Sequence, residues 1–443
     1  MTAPFRAQTF DGSIAPLHVV IIGAGIGGLC LAQGLKKAGI SVAVYERDRT
    51  VTDRVQGYRV HINPAGSRAL HACLPPHLFD AFDRTGGKPS RAMHFLTEQM
   101  GVLLSVGGDL MEQRQPIARH RSVSRITLRQ VLLSGLDGIV HFGKTFTRYE
   151  VRADARVVAH FEDGTSAEGD VLVAADGGGS GVRAQLLPHA ARVDTGVVGI
   201  AGKVFLDDAS RARIAPVLLD GLTLVAAKGG LGLFVALQEF AGEHRGSIGG
   251  NEASLAGAPL FDNSRSYLMW ALSGKWERLG LESERPGSAA LADAAARAMA
   301  PWARGLRELV DLSDPGTISC LPIRTSRPVA PWPSGRVTLI GDAIHAMTPY
   351  RGIGANIALK DAVRLRDALV AAQHGKQPLI AAIHDYEAAM LDYGFKAVRN
   401  SLKAMQQTTG QGPIAMALSR AVLRAIDLTP PLKRAMARGL GEE

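Results

Sequence analysis

Cysteine is scarce: Cys30, Cys73 and Cys320 are the three in 443 residues, too few and too scattered for a disulfide framework or a thiolate metal cluster. The thirteen histidines show no paired ligand spacing, so no metal is expected. Long apolar runs are missing too. The stretch from Leu222 to Phe240 is interrupted by Lys228 and a glycine cluster, short of the roughly 18 uninterrupted residues that a membrane span needs. No integral membrane segment is expected. Residues Met1 to Pro16 contain no apolar signal core, which points to the cytoplasm. No nucleic-acid motif accompanies the net charge of +9, so the charge reads as an arginine-rich solvated surface able to steer anions, without a nucleic-acid partner.

What is present describes a globular α/β chain: 46% hydrophobic residues, 21% charged residues and 50 glycines. The length suits two or three subdomains.

His18-Val19-Val20-Ile21-Ile22 is a short β-branched run of the kind buried on both faces of a parallel sheet. It runs into Gly23-Ala24-Gly25-Ile26-Gly27-Gly28, where Gly23, Gly25 and Gly28 have the G-x-G-x-x-G spacing that turns tightly, admits a pyrophosphate and packs a helix on the strand. Leu29, Leu31, Ala32 and Leu35 form the apolar face of that helix and Gly39 ends it. A second strand, Ser41 to Tyr45, delivers Glu46, where an acid can bind the hydroxyls of an adenosine ribose. Arg47 follows, either against the adenosine or in solvent. These residues specify a dinucleotide and serve FAD or NAD equally.

Two further strand-to-turn segments lie downstream. Asp170 to Ala175 leads into Asp176-Gly177-Gly178-Gly179-Ser180-Gly181-Val182-Arg183, and Val182 stands where a G-x-S-x-G hydrolase elbow would need glycine. Arg336 to Ile340 leads into Gly341-Asp342-Ala343-Ile344-His345, then Pro349, Gly352, Gly354, Ala355, Asn356 and a helix from Ile357 to Leu369. A helix start offers free N–H groups and a positive dipole end to an anion. A fourth segment, Arg125 to Leu132, reads as a helix with arginines at 125 and 129.

Together these segments resemble the single-component, class A FAD-dependent monooxygenases, related to p-hydroxybenzoate and salicylate hydroxylases and to the tetracycline-inactivating monooxygenases, over about Leu17 to Leu369. The resemblance implies a p-hydroxybenzoate hydroxylase-like α/β fold: a Rossmann-like FAD-binding domain with a β-meander, an inserted β-rich substrate domain and C-terminal helices. On that reading Gly23, Gly25, Gly28, Glu46 and Arg47 hold the ADP half of FAD, and Arg129 reaches the flavin, with Arg125 next in line. Asp176 serves FAD and NAD(P)H, while Asp342, Gly352, Gly354, Ala355 and Asn356 serve the ribityl, pyrophosphate and ring portions. Pro349 would shape the ring face. Arg59, beside Tyr58 and His61, is a candidate flavin or substrate contact. His345 is either a base or a satisfied structural histidine.

The activity so implied consumes NADPH or NADH and molecular oxygen and inserts one oxygen atom into an aromatic or polyketide-like small molecule through a flavin C4a-hydroperoxide. An oxidase, reductase or Baeyer–Villiger enzyme on the same fold, and a non-catalytic flavin-binding or membrane-peripheral protein, are the alternatives. Two features depart from the family: Tyr350 and Arg351 stand where smaller residues are common, and no second glycine fingerprint for NAD(P)H is present.

The expected organisation is an FAD-binding domain from residues 17–85, 116–190 and 316–378, a substrate domain from 86–115 and 191–315, and a helical segment over 379–443. Strands near 139–150, 156–162 and 167–175 would form the meander, and Ser288 to Ala300 a helix. Gln238, Met269 and Trp270 would line the pocket or fill the core. Met405, Met416 and Met436 would close the pocket, cap the body or meet a membrane or partner. Monomer and homodimer both fit.

Overall fold

In the computed structural model, residues 16–50, 59–110, 116–240, 265–281, 286–410 and 412–442 are described. Tyr58 and residues 1–15 lie outside them. Four sheets organise the described residues. The first is fully parallel, in the order Val337–Leu339, Val171–Ala174, His18–Ile22, Ser41–Tyr45, Val140–His141. Its central strands are apolar along their length because both faces are covered: Val19, Ile21, Leu172 and Val173 are fully buried. The helices Ile26–Lys37, Pro64–Cys73, Arg125–Leu133 and Gly354–Gln373 pack around this core.

A three-stranded antiparallel meander, Phe146–Val151, Val157–Phe161 and Ser166–Gly169, adjoins it. The run expected as one strand over 167–175 is two: it breaks at Asp170, whose carboxylate accepts from the His18 backbone N–H at 2.8 Å, and continues as the parallel strand Val171–Ala174. A two-stranded ribbon pairs Arg59–Ile62 with Arg121–Ser124.

The largest sheet has seven strands, in the order Ser319–Ser326, Arg192–Phe205, Tyr267–Lys275, Leu231–Gln238, Gly221–Ala227, Ala92–Leu96, Val102–Gly107. Ser319–Ser326 is its edge strand, so the boundary expected at 316 falls inside this sheet; the strand is recruited by pairing along Arg192–Ala201. One face buries Leu268, Trp270, Leu272 and Val235 under the helices Ser288–Ala298 and Arg304–Asp311. By strand alternation Met269, Ala271, Ser273 and Phe234 face the other way, into a cavity.

The 31-residue helix Leu379–Thr409 joins the two bodies. Ile383, Tyr386 and Met390 pack on the parallel-sheet core. About 33 Å along the helix from Ile383, at 1.5 Å per residue, Met405 packs against Val197 and Ile323 of the seven-stranded sheet. The helices Pro413–Leu428 and Pro430–Glu442 follow, with Met416 and Met436 packed inward. No described helix is long and apolar enough to cross a membrane.

Candidate active site

Parallel strands bring the carboxyl ends of His18–Ile22, Ser41–Tyr45, Val171–Ala174 and Val337–Leu339 to one edge, where open α/β sheets bind ligands. At that edge the glycines divide by what they serve. Gly23 has φ +106°, and a Cβ there would lie 2.5 Å from the Ala175 carbonyl oxygen; one at Gly28 would lie 2.2 Å from the Gly23 oxygen. The chain's own packing requires both. Gly25 has no neighbour closer than 4.0 Å, and its side borders the cavity. The helix behind it begins without a side-chain cap, so its first N–H groups are available to an anion.

Glu46 is buried against this turn. Its Oε2 accepts from the Ala24 N–H at 2.7 Å and its Oε1 from the Asp48 N–H at 3.0 Å. Arg129 braces the same place from behind: its Nε donates to the Ala24 carbonyl at 3.0 Å, and its guanidinium lies 3.7 Å from Asp48 and 4.0 Å from Glu46. It is Arg125, exposed at the helix start, that borders the cavity. Arg47 points into solvent.

Asp176 caps the short helix after it, Oδ2 accepting from the Gly181 N–H at 2.9 Å, while its buried Oδ1 has no hydrogen-bond partner among the described residues. Burial pushes this carboxyl above its ordinary value. Arg183, for which the sequence suggests no role, ties the turns together: it donates to the carbonyls of Ala190 at 3.0 Å, Gly178 at 3.1 Å and Ala343 at 2.8 Å.

In the third turn Asp342 presents an exposed carboxylate to the cavity. The turn is fixed from below by Asp361, for which the sequence held no signal. Its Oδ2 accepts from the Gly341 N–H at 2.7 Å and lies 2.7 Å from His345 Nε2; its Oδ1 accepts from the Tyr393 hydroxyl at 2.6 Å. His345 is fully buried and outside the cavity lining, which takes it away from any substrate and makes it a partner of Asp361. Burial lowers its pKa, but the charge and hydrogen bond of Asp361 and the charge of Asp342 outweigh that and raise it. Pro349, Gly352, Gly354 and Ala355 border the cavity, Gly352 in the left-handed conformation at φ 62°. The side chain of Asn356 does not: it is buried, accepting from the Asn63 N–H at 2.9 Å and donating to the His61 carbonyl at 2.8 Å.

The cavity has a volume of about 1850 Å³ and runs from Gly25 and Gly28 past Asp342 and Pro349 to the open face of the seven-stranded sheet. Met269 lines it. Trp270 points the other way and donates to Ser313 at 2.6 Å, and Gln238 is fully buried beneath Ser122. Tyr350 bridges the two bodies by donating to Ser273 Oγ at 2.8 Å; burial pushes its phenol up to about 12. Arg59 borders the cavity, with burial lowering its guanidinium to about 10. His61 sits 3.0 Å from His120, ring nitrogen to ring nitrogen, and is pushed down to about 3 by burial and then by Arg59 and His120. It is neutral at physiological pH.

These residues fit FAD. The Oδ1 of Asp176 has no partner among the described residues and the Asp342 carboxylate borders the cavity, acceptors of the kind that ribose and ribityl hydroxyls need. The open glycines at 25, 177 and 352 and the free helix start leave room and N–H donors for phosphate and ring.

A family model described as an FAD binding domain matches residues 297–401, and one described as an NAD(P)-binding Rossmann-like domain matches 21–94. The chain is 32% identical to the dual O-methyltransferase/FAD-dependent monooxygenase elcB of Phaeosphaeria nodorum over 92% of its own length, but over only 45% of that protein. It thus spans under half the length of such relatives. It is 30% identical to the FAD-dependent monooxygenase thnD of Trichoderma harzianum, over 87% of this chain and 92% of thnD. Among solved structures, Klebsiella pneumoniae HpxO complexed with FAD and uric acid superimposes with a TM-score of 0.75 at 27% identity, covering 95% of this chain and 96% of HpxO.

Proposed function

The chain belongs to the FAD-dependent monooxygenases, and from that premise we propose that it uses NAD(P)H and molecular oxygen to hydroxylate a flat, electron-rich aromatic or polyketide-like molecule. The observation that carries this reading is the continuity of one cavity from the dinucleotide edge of the parallel sheet to the apolar face of the seven-stranded sheet.

Bound FAD supplies the redox chemistry, passing electrons from NAD(P)H to oxygen so that substrate, O₂, NAD(P)H and a proton become hydroxylated substrate, water and NAD(P)⁺. The protein supplies placement. In this proposal Glu46 and the Gly25–Gly28 turn hold the ADP half, and Asp176 and Asp342 accept from the hydroxyls of the ribose and ribityl chains. Pro349, Gly352 and Gly354 flank the ring, and Arg125 meets negative charge at the mouth. Met269, Ala271 and Phe234 give the substrate ring an apolar wall that keeps water from the oxygenating face. Asp361, His345 and Tyr393 position the Gly341–Asp342 turn and touch no reactant. We place the activity in the cytoplasm, in keeping with the free thiols of Cys30, Cys73 and Cys320.

The test is to purify the chain with FAD and follow NADPH and NADH oxidation across a panel of phenolic and naphtholic arenes while measuring hydrogen peroxide. Substrate-stimulated oxidation with little peroxide is expected. Oxidation in which peroxide matches NAD(P)H consumption for every arene would make the protein an oxidase.

A further inference from the structure

Among the described residues the cavity is lined by nine lysines and arginines and one carboxylate, that of Asp342. Several of these cations are already neutralised: Lys88 by Glu239, Arg91 by Asp220 and Arg121 by Asp83. Arg59 is not. Its Nε donates to Ser122 Oγ, and no carboxylate pairs with it among the described residues.

Arg59 is also aimed. Its strand is locked to Arg121–Ser124, and the Ser122 hydroxyl donates to Gln238 Oε1 while Gln238 Nε2 donates back to the Ser122 carbonyl at 3.2 Å. Gln238 is fully buried in the seven-stranded sheet, and Gly87 makes room for it, since a Cβ there would lie 2.4 Å from Gln238 Nε2. Arg59 is therefore held through Nε from a support that crosses between the two bodies. Its two terminal NH₂ groups remain as a planar fork of donors. A guanidinium out of bulk water with no counter-ion is costly unless a ligand brings the opposite charge. The apolar wall of Met269, Ala271 and Phe234 bounds the same cavity.

We propose that Arg59 is the anchor of an anion subsite in the substrate half of the cavity, and that the substrate carries a carboxylate on its aromatic ring system. This rests on the monooxygenase reading for the aromatic part; the anionic requirement comes from Arg59. The carboxylate takes the bidentate geometry that a guanidinium favours, and Ser122 and Gln238 act as positioning residues.

The probes are 3-hydroxy-2-naphthoate and its neutral carboxamide, titrated into the FAD-loaded full-length chain with the flavin absorbance as readout. The acid is expected to bind at least about tenfold more tightly than the amide, the scale of a charge-assisted hydrogen bond. In Arg59→Gln the ratio falls to near one, with FAD affinity, read by flavin fluorescence, within about threefold of wild type. Arg59→Lys keeps the charge, loses the fork and gives an intermediate ratio. Equal binding of acid and amide by wild type, or binding of neither, overturns the proposal. So does an Arg59→Gln variant that loses FAD affinity while keeping the acid preference, which would make Arg59 a flavin contact. A wild-type chain that binds no FAD contradicts the monooxygenase reading itself, a result distinct from loss of the acid preference alone.

Discussion

Arg183 donates from its guanidinium to the Ala343 carbonyl at 2.8 Å, and this bond joins the Asp176 turn to the Asp342 turn. With its bonds to Ala190 and Gly178, the side chain satisfies three backbone carbonyls at once. Arg183→Met keeps the length and removes all three. It is expected to lower unfolding free energy by about 3 kcal/mol, at roughly 1 kcal/mol per bond, in urea titrations. A change below about 0.5 kcal/mol, typical of an unimportant surface site, would show that the turns do not depend on this tie.

The glycine turn offers a paired comparison. Gly28→Ala places a Cβ 2.2 Å from a backbone oxygen that cannot move aside, whereas Gly25→Ala meets nothing closer than 4.0 Å. The first should cost the apoprotein several kcal/mol, about 3 or more. The second should leave apoprotein melting nearly unchanged and weaken FAD binding at least about tenfold by blocking the approach of the pyrophosphate. Normal FAD affinity in Gly25→Ala would remove the turn from the binding site.

Glu46→Gln retains an acceptor for the Ala24 N–H and removes the charge. FAD affinity is expected to fall roughly tenfold to a hundredfold, the worth of a charge-assisted hydrogen bond, with the circular dichroism spectrum preserved. Equilibrium flavin fluorescence checks it, and an unchanged dissociation constant would contradict it.

The His345–Asp361 pair gives a pH dependence whose sign follows from the direction of the shift. His345 holds its proton more tightly folded than unfolded, because Asp361 and Asp342 outweigh burial. Its contribution to stability is complete below the unfolded value, about 6.5, and is lost as pH rises through the raised folded value. Wild type should therefore lose stability between neutral and mildly alkaline pH more steeply than His345→Gln. Parallel urea-midpoint profiles for the two would refute this.

How far the sequence could be read depended on the range of the interactions. The unit from His18 to Glu46 was legible because strand, turn, helix and acid are contiguous and each has its own local pattern. The broad fold followed from three such units in order. Register alone put Arg129 ahead of Arg125 as the flavin contact; helical spacing sets the two on one face, and only the approach of Glu46, Asp48 and Ala24 shows that Arg129 is consumed, leaving Arg125 at the cavity. His345 stayed ambiguous because its partner Asp361 lies on the following helix. Trp270 and Met269 were both candidates since alternation says that they face opposite ways but not which way is the core. The edge strand Ser319–Ser326 and the parallel pairing of Gly221–Ala227 with Ala92–Leu96 join residues more than 100 apart, and no local pattern encodes such pairings.

The most direct measurement is mass spectrometry of the product formed under ¹⁸O₂ by the FAD-loaded chain, with NADPH and whichever arene stimulates its oxidation. The expected product is about 18 Da heavier than the substrate, with one ¹⁸O atom from molecular oxygen inserted into a ring C–H bond and no atom lost. An unaltered arene alongside labelled peroxide, or a product whose new oxygen comes from water, would contradict it.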